Sequence, residues 1–383
     1  MQTKTITLFF IAGEASGDKH TADLIRELKQ RAPDIRYCGL GGTHMAAEGC
    51  EIFYDLTRLA VVGLIEVLKK LHRFKKIFND ALKKVKELRP QAVILTDFPG
   101  FNLRFAKAVK ALGIPVIYYV SPQVWAWKRK RIYSIPKIVD KMLVILPFEK
   151  DLYSHSSMAV DFVGHPLVHQ VVPSNSREAL RSEFGIPQDS TVILLFPGSR
   201  KAEVRRILPI LHETASLLHK QIAQAYFVIA KSPSIPAAYF NRSLGKKDIP
   251  FTVIEGRPYD AFTLADFGLI KSGTSTLEAS IAGLPYVLIY VAHPITYWVG
   301  RLLVKIDFLG LANIIAGRRV IPEFIQHEAK PHKIAAAVTE LLRNKEQLTE
   351  MKAALTEVRH SLGTENAAVN AAEAVLEFIG RKA

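Results

Sequence analysis

The sequence contains only two cysteines, Cys38 and Cys50, and neither lies in a spacing that suits a metal site. A disulfide framework is therefore excluded, and a reducing compartment fits. The histidines are scattered and no Asp-x-Asp triplet occurs, so we predict neither a metal nor a cofactor. No uninterrupted apolar segment reaches the roughly 18 residues that a bilayer-spanning helix needs. The apolar run near the start is short and is followed by Glu14 and Asp18, so it predicts a buried strand rather than a signal peptide.

Length and charge narrow the class of protein further. With 383 residues the chain is too long for one ordinary core, and its hydrophobic content of 49% suffices for two. The net charge of +15 indicates an anionic partner, which is nucleic acid, anionic lipid or a phosphorylated metabolite. No RNA-binding or DNA-binding motif occurs, which argues against nucleic acid.

Both halves of the chain alternate short apolar runs with helical patterns, which is typical of open parallel α/β sheets. The polar stretch 172–176 is predicted to be a linker between the halves. We therefore predict an α/β fold with domains at residues 1–170 and 171–350, followed by C-terminal helices in residues 351–383. The expected strands are 5–12, 35–40, 92–96, 116–120, 142–145, 191–196, 225–229, 251–254, 267–270 and 285–290.

The turn Pro197-Gly198-Ser199-Arg200 follows an apolar strand and precedes a helical pattern. Free N–H groups at a helix start and the peptide dipole favour an anion there, and Arg200 adds a planar, permanently charged fork. The alternative is a plain strand-to-helix turn whose arginine pairs with a surface carboxylate. The first interpretation predicts a diphosphate site at Arg200.

A second loop of this kind, residues 271–278, follows the predicted strand 267–270. Small hydroxyl residues at a helix start offer N–H and O–H groups to a diphosphate. Glu278 lies one turn after Thr274, so its carboxylate can accept hydrogen bonds from ribose hydroxyls. The alternative is a capping box, because Ser275 and Glu278 have the S-x-x-E spacing. Two such loops in the second half of an α/β chain are a layout for nucleotide-sugar chemistry.

Asp97 directly follows the predicted strand 92–96 and precedes a proline-glycine turn. A carboxylate at the carboxyl end of a central strand is well placed to accept a proton. The alternative is an N-cap for a helix that begins near Leu103, a role for which Asn102 is better placed. We favour catalysis. The small-residue loop 13–18 also lies where doubly wound sheets place ligands, although its spacing is not GxGxxG.

The segment 61–78 is a basic amphipathic helix by its pattern. Leu64, Leu68 and Leu71 fall on one helical face, and lysines crowd elsewhere. Such a helix suits the surface of an anionic membrane, or an acyl-chain groove with phosphate at its rim. The alternative is a helix that packs on the core with a solvated lysine face.

The segment 121–131 places Trp125 and Trp127 beside four consecutive cations, Lys128 to Arg131. Interleaved aromatic and basic residues fit single-stranded nucleic acid. They fit equally well at an interface with acyl chains below and phosphates above.

Eight short motifs occur in a fixed order: AGEASGD (12–18), DFPGFN (97–102), YYVSPQVWAWKRKR (118–131), LPFEK (146–150), VGHPL (163–167), PGSRKAEV (197–204), SGTSTLE (272–278) and LANIIAGR (311–318). Together they resemble the bacterial lipid-A-disaccharide synthases, which are inverting glycosyltransferases with the GT-B fold. The resemblance covers nearly the whole chain, and the tryptophan motif combined with PGSR and SGT…E is highly specific.

The resemblance implies two Rossmann-like domains facing across a cleft, with helices of residues 351–383 that cross back to the first domain. It implies transfer from UDP-2,3-diacylglucosamine to 2,3-diacylglucosamine 1-phosphate (lipid X), giving the tetraacyl disaccharide 1-phosphate and UDP. It also implies no metal, no nucleic-acid partner and a peripheral place on the anionic cytoplasmic face of the inner membrane. The choice between a monomer and a homodimer stays open. The alternatives are another UDP-sugar GT-B glycosyltransferase or an epimerase and, in another class, a non-catalytic lipid-binding protein.

The candidate site residues divide by role, and Asp97 is the predicted catalytic base. The residues predicted to bind the UDP donor are Arg200, Ser272, Gly273, Thr274, Glu278 and, from the resemblance alone, Asn313. The residues predicted to contact the acceptor or lipid are Ser16, Asp18, Leu64, Leu68, Leu71, Trp125, Trp127, Lys128 and Arg131.

Overall fold

A computed structural model of the chain describes residues 6–60, 71–244, 248–304 and 306–380. The chain divides into two compact units. Unit 1 consists of Met1–Pro166 together with Leu362–Ala383, and unit 2 consists of Leu167–Ser361.

Unit 1 is built on a sheet of seven parallel strands in the order β3-β2-β1-β4-β5-β6-β7. The central strands are continuously apolar because both faces of the sheet are covered by helices. The strands are β1 (Thr7–Ala12), β2 (Arg36–Gly41), β3 (Glu51–Asp55), β4 (Ala92–Thr96), β5 (Val116–Tyr119), β6 (Lys141–Val144) and β7 (Ala159–Phe162). The helices are Ala15–Arg31, Thr43–Ala47, Thr57–Ala60, Leu71–Leu88, Pro99–Lys110 and Ala367–Phe378, with 3-10 turns at Arg129–Tyr133, Ile135–Lys137, Pro147–Glu149 and Asp151–Tyr153.

Unit 2 repeats this plan with six parallel strands in the order β10-β9-β8-β11-β12-β13. The strands are β8 (Thr191–Phe196), β9 (Ala225–Lys231), β10 (Phe251–Glu255), β11 (Phe267–Lys271), β12 (Tyr286–Tyr290) and β13 (Glu323–Ile325). The helices are Arg177–Glu183, Lys201–His219, Ala237–Leu244, Pro258–Leu264, Thr274–Ile281, Pro294–Leu303, Leu311–Ala316, Pro331–Arg343 and Lys345–Ser361, with 3-10 turns at Pro166–His169 and Gln326–Glu328.

The predicted α/β fold with two parallel sheets is confirmed. Three strands were not predicted from the sequence, namely β3, β7 and β13. Each lies at an edge of its sheet, so its side chains are only partly covered and its apolar pattern is weak.

The last helix, Ala367–Phe378, packs in unit 1, where Ala371 and Val375 join the core that also contains Leu24. The main-chain N–H of His165 donates to the Leu362 oxygen at 2.8 Å, and the Asn370 amide donates to the Val163 oxygen at 3.2 Å. The preceding helix, Lys345–Ser361, belongs to unit 2. The predicted boundary at residue 350 therefore falls inside a helix, and the chain passes between the units after residue 361.

The helix Leu71–Leu88 carries the end of the basic amphipathic segment. Ile77 and Ala81 are buried in the core of unit 1, and Phe78 packs against the same core. Lys75 and Lys76 are exposed. This part of the segment therefore packs on the core with its lysines in solvent.

The membrane prediction rests on three leucines, and none of them has a described side chain. Leu64 and Leu68 lie outside the described residues, and the side chain of Leu71 is not described. Over the described ranges, no helix combines the length and the apolar character that crossing a membrane requires.

Candidate functional site

The parallel register of unit 1 brings three loops together at the carboxyl ends of its central strands. Ala12 at the end of β1 is opposite Thr96 at the end of β4, and Thr96 is opposite Tyr119 at the end of β5. The loop that follows Ala12 therefore lies on one side of Asp97, and the segment that follows Tyr119 lies on the other.

Asp97 is held by its main chain in a left-handed conformation, with φ of 46°, and Phe98 follows with φ of 48°. Such a conformation costs a residue other than glycine roughly 1–3 kcal/mol, so the surroundings must impose it. The Asp97 carbonyl oxygen accepts hydrogen bonds from the Tyr118 hydroxyl at 2.5 Å and from the Asn102 amide at 2.8 Å. The Asp97 N–H donates to the Tyr119 oxygen at 3.1 Å.

The capping alternative for this region is wrong. The helix begins at Pro99 rather than near Leu103, and its N-cap is Phe98 without a side-chain capping bond. Asn102 lies inside the helix, fully buried, and its amide group donates to the Thr96 and Asp97 carbonyl oxygens. Asn102 therefore fixes the turn that presents Asp97.

Burial is the main cause that raises the pKa of the Asp97 carboxyl, to about 6, and the negative charge of Glu14 raises it further. A hydrogen bond from the Phe98 main chain opposes this shift. At neutral pH the carboxylate remains mostly ionised, yet it is a stronger base than an ordinary aspartate. A carboxylate with a raised pKa at the carboxyl end of a central strand is a candidate for proton transfer.

Glu14 was not identified from the sequence as a neighbour of Asp97. The only available signal was its place in a small-residue loop at the end of the first strand. The approach of this loop depends on Gly13, since a Cβ there would lie 2.2 Å from the Phe98 ring. Gly13 therefore allows the first loop to approach the Asp97 turn.

The two residues of this loop that were predicted to contact the acceptor occupy different environments. Ser16 is exposed in the first turn of the helix Ala15–Arg31. Asp18 is buried, and its carboxylate accepts hydrogen bonds from the main-chain N–H groups of Gly42, His44 and Met45. Asp18 therefore anchors the loop after β2, and acceptor contact stays a prediction for both Ser16 and Asp18.

The tryptophan motif divides into a buried and an exposed part. The Trp125 indole is 7% exposed, donates to Glu149 Oε1 at 3.3 Å and packs edge-on against Phe148. The Trp127 indole is 41% exposed, and Lys128 Nζ lies 4.4 Å from its ring centroid. Of the two indoles, only that of Trp127 is available for contact with a lipid.

Glu149, which binds the Trp125 indole, is a buried polar group that was not identified from the sequence. Burial raises the pKa of Glu149 to about 8, although hydrogen bonds from the Leu146 N–H and the Trp125 indole act in the opposite direction. Burial raises the pKa of the Tyr118 hydroxyl well above its usual value, and the positive charge of the half-buried Arg131 nearby opposes this shift. The motif is thus connected to the residue that holds the Asp97 turn.

In unit 2, β8 and β11 are neighbours, with Phe196 opposite Ile270, so the two predicted phosphate loops lie side by side. The first loop turns at Gly198, with φ of 104°, where a Cβ would lie 2.6 Å from Glu203. The Arg200 side chain is 84% exposed. Its guanidinium lies 3.7 Å from Glu203 Oε1, so Arg200 pairs with a carboxylate of the protein as the alternative interpretation predicted, while most of the side chain stays accessible to an anionic ligand.

The helix start beside Arg200 differs from the prediction. The N–H groups of Ser199 and Arg200 donate to Glu203 Oε2 at 3.2 and 3.3 Å, and Lys271 Nζ lies 2.8 Å from Glu203 Oε1. A carboxylate of the protein therefore occupies the anion position that was expected for a ligand. The guanidinium of Arg200 remains the accessible part of this loop.

The second loop has the open helix start. Gly273, with φ of 157°, is the N-cap of Thr274–Ile281, and no side chain caps this helix. Ser275 Oγ donates to the Lys271 oxygen at 3.3 Å, so the proposed capping box with Glu278 is not formed. Within the part of the chain that the structure describes, the Thr274 and Ser275 N–H groups have no acceptor.

Glu278 lies one turn further and is half-buried, with Tyr259 Oη donating to its Oε1 at 3.5 Å. Burial and the neighbouring Glu278 raise the pKa of Tyr259 to about 12, so Tyr259 stays a hydrogen-bond donor. The carboxylate is thus oriented at the side of the open helix start.

Asn313 has partners other than the donor. It is fully buried, its amide group donates to the Ile321 oxygen and Glu323 Oε1, and its amide oxygen accepts from the N–H groups of Val320 and Ile321. These bonds fasten the helix Leu311–Ala316 to β13, and contact of Asn313 with the donor stays a prediction.

Comparison with known proteins shows which sequences the chain resembles over its length. A family profile described as Lipid-A-disaccharide synthetase matches residues 8–378 of the chain. The lipid-A-disaccharide synthase of Myxococcus xanthus (strain DK1622) is 40% identical over 372 residues, which are 97% of this chain and 97% of that protein.

Solved structures are similar in fold at low sequence identity. The calicheamicin glycosyltransferase CalG4 has a TM-score of 0.62 and 15% identity, with 99% of this chain and 99% of that chain covered. The UDP-GlcNAc 2-epimerase of Neisseria meningitidis, bound to UDP-GlcNAc, has a TM-score of 0.59 and 15% identity, with 98% of each chain covered. These likenesses show the GT-B fold alone.

The electrostatic environment of Asp97 can be measured directly. In a carbon-13 titration of the carboxyl groups, Asp97 should have its midpoint at about 6. Glu14→Gln removes a negative neighbour, so it should lower that midpoint towards the ordinary value without reaching it, because burial remains. Glu48→Gln, which removes a carboxylate that pairs with Arg26, is the matched control and should leave the midpoint unchanged. An Asp97 midpoint that stays the same in Glu14→Gln would contradict this description.

Proposed function

Since the chain belongs to the lipid-A-disaccharide synthetase family, we propose that it transfers diacylglucosamine between two lipid substrates. The donor is UDP-2,3-diacylglucosamine, and the acceptor is 2,3-diacylglucosamine 1-phosphate. The products are the β-linked tetraacyl disaccharide 1-phosphate and UDP. The observation that carries this proposal is Asp97, a carboxylate of raised pKa held at the edge of the sheet in unit 1.

In this mechanism the Asp97 carboxylate accepts the proton of the acceptor's primary hydroxyl. The freed oxygen attacks the anomeric carbon of the donor, and the bond from that carbon to the diphosphate oxygen breaks. UDP departs with the electron pair, and attack opposite the leaving group inverts the anomeric configuration. A positioned base contributes typically about 10²–10⁴-fold to such a step. The proton on Asp97 then passes to solvent.

The UDP group is held by the two loops of unit 2. The Arg200 guanidinium pairs with the diphosphate, which also stabilises the charge that develops on the leaving group. The open N–H groups of Thr274 and Ser275 add donors at the start of a helix. Glu278 accepts hydrogen bonds from the ribose hydroxyls. Ser272 and Gly273 shape this loop.

The transfer itself is tested by release of UDP. Purified protein given UDP-2,3-diacylglucosamine should release UDP only when lipid X is also present, with one UDP for each disaccharide formed. The reason is that the acceptor hydroxyl is the nucleophile. Lipid X whose primary hydroxyl is methylated is the control and should give no release. Equal UDP release with and without acceptor would instead indicate hydrolysis or epimerisation, and no release at all would leave a binding protein.

The role of Arg200 is tested by Arg200→Ala. Loss of a charge-assisted contact should weaken UDP affinity and lower turnover, each by roughly ten- to a hundredfold. Arg205→Ala removes an exposed arginine from the helix that follows Arg200 and serves as the matched control. Isothermal titration with UDP and initial rates supply the two measurements. If Arg200→Ala keeps both values, the diphosphate is bound elsewhere.

We further propose that the protein works at the anionic cytoplasmic surface of the inner membrane. Both substrates carry acyl chains that have to stay out of water while their sugars react. In this proposal the leucines Leu64, Leu68 and Leu71 and the exposed Trp127 ring contact the acyl layer, and the exposed Lys75, Lys76 and Lys128 contact phosphates. Each basic contact near such a surface contributes about 1 kcal/mol.

Membrane attachment is tested by sedimentation with anionic vesicles at low and high salt. Wild type should sediment with the vesicles at low salt and less at high salt, because salt screens exposed charges. A variant with Leu64, Leu68 and Leu71 changed to Ser should bind more weakly at both. Val172→Ser, which removes an exposed apolar side chain of unit 2, is the control. Unchanged sedimentation of the folded triple variant would show that these leucines pack on the core.

A further inference from the structure

Unit 2 contains a cavity of about 530 Å³ that lies beside the donor loops and has no part in the site described above. Its volume falls within the roughly 300–1,000 Å³ that is typical of ligand pockets. The lining is largely apolar and aromatic, and its polar side chains are those of Arg206, His293, Gln326 and His327. The residues that the argument uses are Arg206, Val291, Ala292, Pro294, Tyr297 and Trp298.

Trp298 is the most conspicuous of these residues because its side chain is 63% exposed. It packs edge-on against Tyr297, with ring centroids 5.7 Å apart. An exposed indole next to an aromatic neighbour and a cavity leaves apolar surface in water, which is typical of a surface that binds a ligand. Trp298 is also the only tryptophan in unit 2.

The main-chain polar groups of Ala292, which lines the cavity, are already hydrogen-bonded. The Ala292 N–H donates to Gln326 Oε1 at 2.6 Å, and Gln326 Nε2 donates to the Ala292 oxygen at 3.2 Å. Gln326 thus satisfies both polar groups of Ala292. A nucleotide base needs donors and acceptors that match its edge, whereas an apolar chain does not.

The cavity adjoins the donor loops through the strand order. β11 pairs with β12, and the Ser272 N–H donates to the Ile289 oxygen at 2.9 Å, so the second loop begins next to the end of β12. The cavity residues Val291 to Trp298 follow that end directly. From the other side, Arg206 lies on the helix that Arg200 precedes as its N-cap, six residues further on, which is about 9 Å along the helix axis.

We propose that this cavity receives an acyl chain of the nucleotide-linked sugar while Arg200 and the second loop hold its UDP group. The proposal rests on the proposed function, because only a diacylated donor brings such a chain to unit 2. Trp298, Tyr297 and Pro294 contact the methylene groups. Arg206 can donate to the carbonyl oxygen that joins the chain to the sugar. The cavity thereby distinguishes diacylated donors from UDP-sugars without acyl chains.

The test compares three ligands with wild type and two variants. The ligands are UDP, the donor with long acyl chains and the same donor with butyryl groups, each measured for affinity and, for the donors, for KM and kcat. Trp298→Ser should weaken binding of the long-chain donor and raise its KM by about tenfold, while UDP affinity stays at the wild-type value. Val253→Ser removes an exposed apolar side chain at the opposite edge of the same sheet and is the control.

The second variant fills the cavity instead of opening it. Ala292→Leu keeps the main-chain bonds to Gln326 and adds apolar volume, so it should raise KM for the long-chain donor while the butyryl donor keeps its KM. A residue with a purely structural role would change both donors alike.

The outcomes separate this proposal from its premise. If wild type turns over neither donor, the proposed function has failed. If wild type is active but Trp298→Ser weakens UDP itself, the cavity binds the nucleotide and the proposal is overturned. The proposal is also overturned if both folded variants treat the two donors as wild type does, or if Trp298→Ser loses only vesicle binding, which would make Trp298 a membrane contact.

Discussion

The carbonyl oxygen of Asp97 accepts two hydrogen bonds, from the Tyr118 hydroxyl and the Asn102 amide, and the candidate site of unit 1 depends on them. They hold two successive residues in a left-handed conformation that neither would adopt by preference. The strained turn places the carboxylate at the sheet edge, where burial and Glu14 strengthen it as a base. Glycine at position 13 is required because the neighbouring loop passes so close to Phe98.

Unit 2 solves a different problem with the same sheet architecture. An anionic ligand needs cations and N–H groups that are ready before it arrives, since ordering them on binding would cost affinity. Glu203 pairs with both Lys271 and Arg200 and leaves most of the Arg200 side chain exposed, while the second loop keeps the open helix start. In the proposed mechanism, base catalysis and nucleotide binding are therefore assigned to separate sheets, each at the carboxyl ends of its strands.

The sequence was sufficient for the sheets and for the location of the principal residues. Central strands such as β1 and β4 are continuously apolar, and the loops that follow central strands, with Asp97 after β4 and Arg200 after β8, lie at the carboxyl ends of the strands. Edge strand β13 escaped prediction because it is only half-buried.

Contacts between distant parts of the chain could not be predicted in this way. Glu203 forms an ion pair with Lys271, and Glu149 accepts a hydrogen bond from the Trp125 indole. Both partners are distant in sequence, so local spacing does not reveal them. For the same reason Trp125 was predicted to contact lipid: its neighbours in sequence are basic and aromatic, but its indole is buried in the structure. The sequence alone also does not reveal that the Asn313 amide group donates to the Ile321 oxygen and to Glu323 of β13.

The central claim is that Asp97 is the base of the transfer, and turnover of Asp97→Asn tests it most directly. The substitution keeps the shape of the side chain and removes the charge that accepts the proton. We expect kcat to fall by about 10²–10⁴-fold, with UDP affinity and the far-ultraviolet circular dichroism spectrum unchanged. A correctly folded Asp97→Asn protein that forms the disaccharide at a near wild-type rate would contradict the claim.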